Sequence, residues 1–348
     1  MPSERLGGTQ TGRFSRGGHL ALLALLWGVT ISFLHYQLNG EKRRVESIRM
    51  GYMPVITNLA APLLDHASRE RGDIRFDAVK FSSFAEMGEA LRNDRIQAAF
   101  VIAPLSVVLR QQGEDVQVVY IGNRHESTLV VRKELNARSI EDLAGRTIAV
   151  PMRYSGHNLC LLRLLEEKSL LDRVRIVEMN PPDMAAALTA GSLDAYFVGE
   201  PFAAQSVKSG VAAPLFYVEE KWNHFICNLL LVKRRLIETN PDAVRRLVHA
   251  AIRSGKWASG HLDEAAEITV QYWNQPKELV VYALSTPPNR VSFDQYLPKP
   301  EEMREIANLM KHFRLISSDT TEGLVEPRFA ESVDFSGITT IESVIPPD

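Results

Sequence analysis

At 348 residues, with 45% hydrophobic and 24% charged side chains, the chain is long enough for two globular lobes and too apolar to be disordered. The 40 Lys and Arg residues against 42 Asp and Glu leave a formal net charge of −2. No basic run interleaved with aromatics occurs, so nothing draws the chain to nucleic acid. The two cysteines, Cys160 and Cys227, have neither C-x-x-C nor haem-attachment spacing, and no cofactor or metal site is expected. A disulfide in an oxidising compartment and two buried free thiols both fit them, since Cys160 falls on the apolar face of a predicted helix.

Near the N-terminus, Arg5, Arg13 and Arg16 precede an unbroken apolar run, "LALLALLWGVTISFL", at 20–34. Its length suits a signal sequence and falls short of the about 20 residues of a comfortable membrane span, unless His35 and Tyr36 extend it at the interface. The exit "HYQLNGEKRR" offers no small-x-small cleavage site and no lipid-anchoring cysteine. An uncleaved signal anchor is therefore expected ahead of a cleaved peptide, although Lys42, Arg43 and Arg44 beyond the run blunt the orientation argument. Either outcome places the remaining chain outside the cytoplasm, in the periplasm or its equivalent.

From Ser47 onward strand and helix patterns alternate. "SIRMGYM" reads as a strand, residues 58–72 as a helix that Asn58 opens and Gly72 stops, and "IRFDAVKF" as a strand. The next helix, 83–95, starts with a capping box of Ser83 and Glu86. "QAAFVIA" is a buried strand, followed by a helix with Pro104 in its first turn. "VQVVYIG" and "STLVVRK" are two further strands. A second series begins at "RTIAVP" (strand), continues through a helix from His157 and the strand "VRIVEM", and reaches "PPDMAAALTAGS" (helix) and "LDAYFVGEP" (strand). After the apolar strand "FICNLLLVKR" the chain turns helical at 241–255, 262–272 and 300–313. Such alternation predicts α/β lobes with parallel-rich sheets and a helical return to the first.

The segment "RYSGHNLCLLRLLEE", 153–167, collects Ser155, Gly156, His157 and Asn158 where a helix begins. A helix cap, a catalytic histidine and the floor of a ligand pocket all fit those residue types. No G-x-S-x-G, H-E-x-x-H or P-loop accompanies it. A triad of Ser155, His157 and Glu200 is disfavoured, because residues two apart at a helix start point to different sides.

The stretch from "SGHNLCLLRLLEEK" through "NPPDMAAALTAG" to "AYFVGEPF" resembles the second lobe of the nitrate-, bicarbonate-, sulfonate- and taurine-type solute-binding proteins of ABC importers. "GYMPVITNLAAPLL" is similar to their first ligand loop, and "AAFVIAPLSVVLRQQG" to the segment after their third strand. The likeness spans roughly 48–315. It implies the type II bilobal periplasmic-binding fold: two α/β lobes joined by a two-strand hinge, with C-terminal helices returning to lobe 1. The expected division is 1–46 signal or anchor segment, 47–145 lobe 1, 146–228 lobe 2 and 229–348 the return. The implied protein is a monomer, an extracytoplasmic component that captures a small polar or anionic solute and delivers it to permease and ATPase subunits.

Within such a cleft a desolvated ligand needs donors from the walls, and helix N-termini supply them. The resemblance and the loop positions nominate Tyr52, Thr57, Asn58, Ser82, Ser83, Ala103 and Pro104 from one side. Ser155, His157, Asn158, Glu200 and Asn223 are nominated from the other, with the turn at Ser155 as pocket floor and Glu200 at the hinge or cleft wall. One departure stands out: nitrate and bicarbonate members carry a lysine or an acid near the segment reading "WNHFICNLL", where this chain has Cys227 and Asn228. That counts against those two ligands and leaves a sulfonate, another oxyanion or a neutral heterocycle. Two alternatives accompany the importer reading: a membrane-tethered receptor serving a sensor partner, and an enzyme resembling thiamine-pyrimidine synthases. The second lacks the cysteine-rich motif of that class.

Overall fold

The computed structural model describes residues 16–39 and 46–347, with side chains at 20–34 and 46–347. The basic side chains at Arg5, Arg13, Arg16 and Lys42–Arg44 lie outside the described residues, as does the exit from the apolar run beyond Asn39. Helix α1 (Arg16–Asn39) contains that run, and Leu20, Leu25, Trp27 and Phe33 are all at least half exposed. Among the described residues no helix is long and apolar enough to cross a membrane, so α1 lends no support to a spanning anchor.

Residues 46–347 form a separate unit built on two five-stranded sheets. The first unit of structure alternates β1 (Glu46–Tyr52), α2 (Ala60–Ser68), β2 (Ile74–Lys80), α3 (Phe84–Arg92), β3 (Ala98–Ile102), α4 (Ala103–Gln111) and β4 (Val116–Ile121). The second runs β5 (Ser127–Arg132), β6 (Thr147–Val150), α5 (Gly156–Glu167), β7 (Arg175–Glu178), α6 (Pro181–Thr189), β8 (Ala195–Gly199), α7 (Phe202–Lys208) and β9 (Ala212–Tyr217). β10 (Asn228–Lys233) returns to the first sheet, and α8 (Arg234–Thr239), α9 (Pro241–Gly260), α10 (Leu262–Val270), α11 (Lys277–Ser285) and α12 (Pro300–His312) follow.

The sheet orders are β2-β1-β3-β10-β4 and β7-β6-β8-β5-β9. In each sheet a single strand runs against its neighbours: β10 is antiparallel to β3 and β4, and β5 is antiparallel to β8 and β9. Both antiparallel strands are the ones entered by crossing from the other sheet. β3, β4, β8 and β10 are mostly apolar and buried along nearly their whole length, as strands covered on both faces should be.

Two expectations change, and two elements are added. Strand Ser127–Arg132, placed by sequence with the first lobe, belongs to the second sheet; the crossing therefore precedes it instead of lying near 144–150. Strand periodicity reports burial, not which sheet a strand joins, so nothing local marked that switch. Helix α7 and strand β9 went unread because "FAAQSVK" is a seven-residue helix and Pro214 interrupts the strand pattern. The helical return also touches more than the first lobe: α9 and α10 pack on α2, whereas α11 meets α7 and α12 spans α4 and α5.

Candidate functional site

Strand direction fixes where chemistry can gather. The carboxyl ends of β1, β2, β3 and β4 and the start of β10 share one edge of the first sheet, and the ends of β6, β7, β8 and β9 and the start of β5 share one edge of the second. Those edges carry the loops into helices, the usual ligand position in open α/β sheets. Within them, the crossings 122–126 and 218–227 lie beside β4, β10, β5 and β9, while β2 and β7 mark the opposite, outer side.

The crossing side is packed with polar groups that satisfy one another. Asn58 is fully buried; its Nδ2 donates to the Met53 carbonyl at 3.0 Å, and its Oδ1 accepts from Asn228 Nδ2 at 2.8 Å. Thr57 Oγ1 lies 3.5 Å from the same Oδ1. The Ile56 amide donates to the Glu200 carbonyl at 2.8 Å, joining the two edges directly. Gly122 permits this closeness, because a Cβ there would stand 2.0 Å from the Thr57 carbonyl oxygen. The amide of Ala103, at the start of α4, is taken by the Cys227 carbonyl at 3.0 Å.

Across the interface, Ser155 caps α5 by accepting from the Asn158 amide at 3.1 Å, and Asn158 Nδ2 donates to the Arg153 carbonyl at 2.8 Å. His157 is 2% exposed, with Nε2 at 2.9 Å from Ser127 Oγ and its ring edge-on to Phe197 and Phe225. Burial holds its pKa down to about 3, so the imidazole is neutral. His157, expected in the turn forming the pocket floor, is instead packed against the Phe197 and Phe225 rings. Its Nδ1 has no hydrogen-bond partner among the described residues.

Glu126, which sequence reasoning did not select, is the centre of this cluster. Its Oε2 accepts from the Glu200 amide at 2.5 Å, and a Cβ on Gly199 would meet its Oε1 at 2.6 Å. Burial pushes its carboxyl up to about 7; the Cys227 thiol pulls it down and the neighbouring Glu200 adds to the rise. Glu200 is buried too, its carboxylate accepting from Thr128 Oγ1 at 2.8 Å and the Ala204 amide at 2.7 Å. Arg290, from the segment after α11, reaches this point with Nη2 on the Ser127 carbonyl at 2.5 Å and Nε on Glu219 at 2.8 Å. Its guanidinium lies 4.4 Å from the Tyr217 ring centroid. The signal for these residues was only their position beside a crossing.

Cys227 and Cys160 are free and buried, not bridged. Burial raises both thiols, Cys160 to about 12. Cys227 Sγ lies 3.9 Å from His157 Nε2. A thiol pushed up beside an imidazole held neutral is the reverse of an activated cysteine–histidine pair. Among the described residues no group of three His, Cys, Asp or Glu is arranged to hold a metal ion.

The outer side is different. Pro54, Lys80, Phe81, Ser82, Pro182, Phe202, Trp273, Asn274 and Gln275 enclose a cavity of about 290 Å³ between the β1, β2, β7 and β8 loops and the loop after α10. Ser82 is exposed at its rim, and Ser83 caps α3, its Oγ accepting from the Glu86 amide at 3.5 Å. Of the nominated residues, then, Ser82 alone is among those lining this cavity. Thr57, Asn58, Ala103, Pro104, Ser155, His157, Asn158 and Glu200 are buried on the crossing side. Tyr52 is buried with its hydroxyl 3.4 Å from the Tyr272 carbonyl, just behind the loop bearing Trp273. Asn223 is exposed on the second crossing, its carbonyl paired with His125 Nε2.

Two sheets of this order, with facing carboxyl edges and two crossings, define the type II bilobal periplasmic-binding fold. The chain belongs to the NMT1-like family, whose model matches residues 41–272. A protein of Bacillus subtilis (strain 168) named for aliphatic sulfonate binding is 25% identical over 278 residues, 76% of this chain and 81% of its own. The taurine-binding periplasmic protein of Escherichia coli (strain K12) is 26% identical over 191 residues, 54% of this chain and 59% of its own. In fold, the chain is similar to a zinc-bound ligand-binding component of an ABC-type import system from Staphylococcus aureus. The TM-score is 0.75 at 21% identity, covering 84% of this chain and 100% of the other.

Proposed function

We propose that this chain is the extracytoplasmic solute-binding component of an ABC importer, taking a small polar or anionic solute between its two lobes. The observation that carries the reading is the pair of facing carboxyl edges, knitted together at the crossings and open to a cavity on the outer side. The sulfonate- and taurine-binding relatives support the solute class. The division into lobes follows the sheets, with 47–122 and the return on one side and 127–217 on the other.

Binding without catalysis is the favoured chemistry, because the buried thiol and imidazole are both held in their unreactive forms. The chain works exported, with its N-terminal apolar segment as leader or tether, and as a monomer that meets its permease through its surface. A thermal-shift screen of small anions and neutral polar solutes tests this. A true ligand at 100 times its Kd stabilises the fold by about 2.7 kcal/mol, a readily visible shift. If no solute in the panel moves the melt, the solute-binding reading is wrong. A reporter active only outside the cytoplasm, fused after Asp348, tests export; silence there refutes it.

A further inference from the structure

Glu126 ends the first crossing, where both crossings and both sheet edges meet. It is fully buried, and among the described residues its carboxylate takes part in no ion pair. Its Oε2 holds the Glu200 amide at 2.5 Å, and Ser127 Oγ donates to Oε1 at 3.4 Å. The Glu200 carbonyl in turn accepts from the Ile56 amide at 2.8 Å, so a single residue stands between Glu126 and the first lobe. Cys227 repeats the pattern on the second crossing. Its thiol lies beside the Glu126 carboxyl, which it stabilises as the ion, and its carbonyl takes the Ala103 amide at 3.0 Å. The surrounding charges leave an ionised Glu126 uncompensated. Glu200 faces it with a second buried carboxylate. Arg290 is spent on Glu200 at 3.4 Å and Glu219 at 2.8 Å, so three carboxylates share one guanidinium. From α5, His157 presents a neutral ring. On Glu126's own crossing, Arg124 is paired with Glu302 at 2.9 Å and His125 with the Asn223 carbonyl.

Burial raises the Glu126 carboxyl to about 7; the Cys227 thiol pulls it down, Glu200 adds to the rise and Arg290 opposes it. An unpaired carboxylate is not held in dry protein: the ion needs water, and water reaches this point only when the crossings loosen. We propose that Glu126 is a proton-operated latch on the interlobe hinge. With its proton in place the crossings pack and the lobes stay together. When the proton leaves for solvent, the Glu200 and Cys227 links to the first lobe slacken and the lobes part. Closing therefore takes up one proton, and a solute that closes the lobes binds more tightly as pH falls toward the carboxylate range. The inference concerns the hinge, goes beyond the solute-binding reading and holds whichever solute the chain takes.

The test needs no solute. Ala85 on α3 and Asp183 on α6 are exposed, one beside each sheet's outer side, and the native cysteines are buried. Nitroxide labels are attached through Ala85→Cys and Asp183→Cys in the full-length chain, and the distance between them is measured by pulsed electron resonance across pH. The long-distance population should grow at least about tenfold between about pH 5 and about pH 7 and level off above that. Glu126→Gln, neutral at every pH, should keep the short distance throughout. A distribution that ignores pH in the native chain overturns the latch, and so does the same pH dependence in Glu126→Gln. Should Glu126→Gln not fold, Cys227→Ala decides. It removes the thiol that stabilises the carboxylate, so the pH of levelling off should rise by about 0.5 unit or more. An unmoved pH of levelling off there overturns the latch.

Discussion

The crossing side and the outer side of the interface are made from the same parts, loops that leave strand ends and enter helices, yet they are finished differently. On the crossing side nearly every donor is consumed within the protein: Asn58 by Met53, Asn228 by Asn58, Ala103 by Cys227, Ile56 by Glu200. Both crossings are further clamped, with Asn123 donating to the Ser292 carbonyl at 2.6 Å and Arg124 paired with Glu302 at 2.9 Å. On the outer side the buried indole N–H of Trp273 has no acceptor among the described residues, and Lys80 is exposed. Polar residues at strand ends are thus not equivalent: saturated groups hold two sheets together, and only unsatisfied ones can select a solute. Perturbing the first set should move stability, and perturbing the second should move affinity.

The largest effect is expected at Arg290. Its guanidinium is almost wholly buried against Glu200, Glu219 and the Ser127 carbonyl. Arg290→Ala strands the buried Glu200 carboxylate, and should cost about 3–5 kcal/mol in urea unfolding. A loss under 1 kcal/mol would break the claim that the crossing side is cemented by this contact. Next comes His157→Ala, which removes a ring packed on Phe197 and Phe225 and leaves Ser127 Oγ short of a partner. It should cost about 2–4 kcal/mol without solute. An unaltered apo melt with a collapse in affinity would instead restore His157 to the pocket floor.

A smaller, pH-dependent effect separates Glu126. An acid raised to about 7 in the folded state keeps its proton there while the unfolded chain, near 4.5, has lost it. Its contribution to stability therefore falls as pH rises from about 4.5 through about 7, and is constant outside that window. His157 acts with the opposite sign: its folded pKa of about 3 lies below 6.5, so stability is lost as pH falls through that interval. Between about 4.5 and 6.5 the two slopes oppose. Glu126→Gln removes one of them, so the stability of the variant relative to the native chain should climb between pH 4.5 and 7. Parallel stability curves across that range would show that Glu126 titrates normally. Smallest of all, Lys80→Gln should alter apo stability by less than about 0.5 kcal/mol, since the residue is exposed. A larger loss would mean that Lys80 is structural.

Much of the architecture was legible in the sequence because it is encoded locally. The alternation of apolar strands with capped helices marked β1 to β4 and β6 to β8, and Ser155 and Ser83 cap the helices they precede. The antiparallel entry of β5 and β10 was not legible, since direction and sheet membership depend on partners distant in the chain. The site was legible only in part for the same reason. Thr57, Asn58, His157 and Glu200 do meet at the interface, but sequence spacing could not say that they would satisfy each other. Glu126 and Arg290 lie far apart in the sequence, and only the fold brings both to Glu200. Trp273 sits at the end of an ordinary amphipathic stretch, a pattern that by itself speaks only for packing.

The most direct test of the division between the two sides is hydrogen–deuterium exchange, with and without the solute that raises the melting temperature most. The account predicts new protection concentrated at 80–86 and 271–277, with 155–160 and 226–230 already protected in the free protein and unchanged on binding. New protection confined to 155–160 and 57–59, with the outer loops unaffected, would contradict it and place the solute on the crossing side.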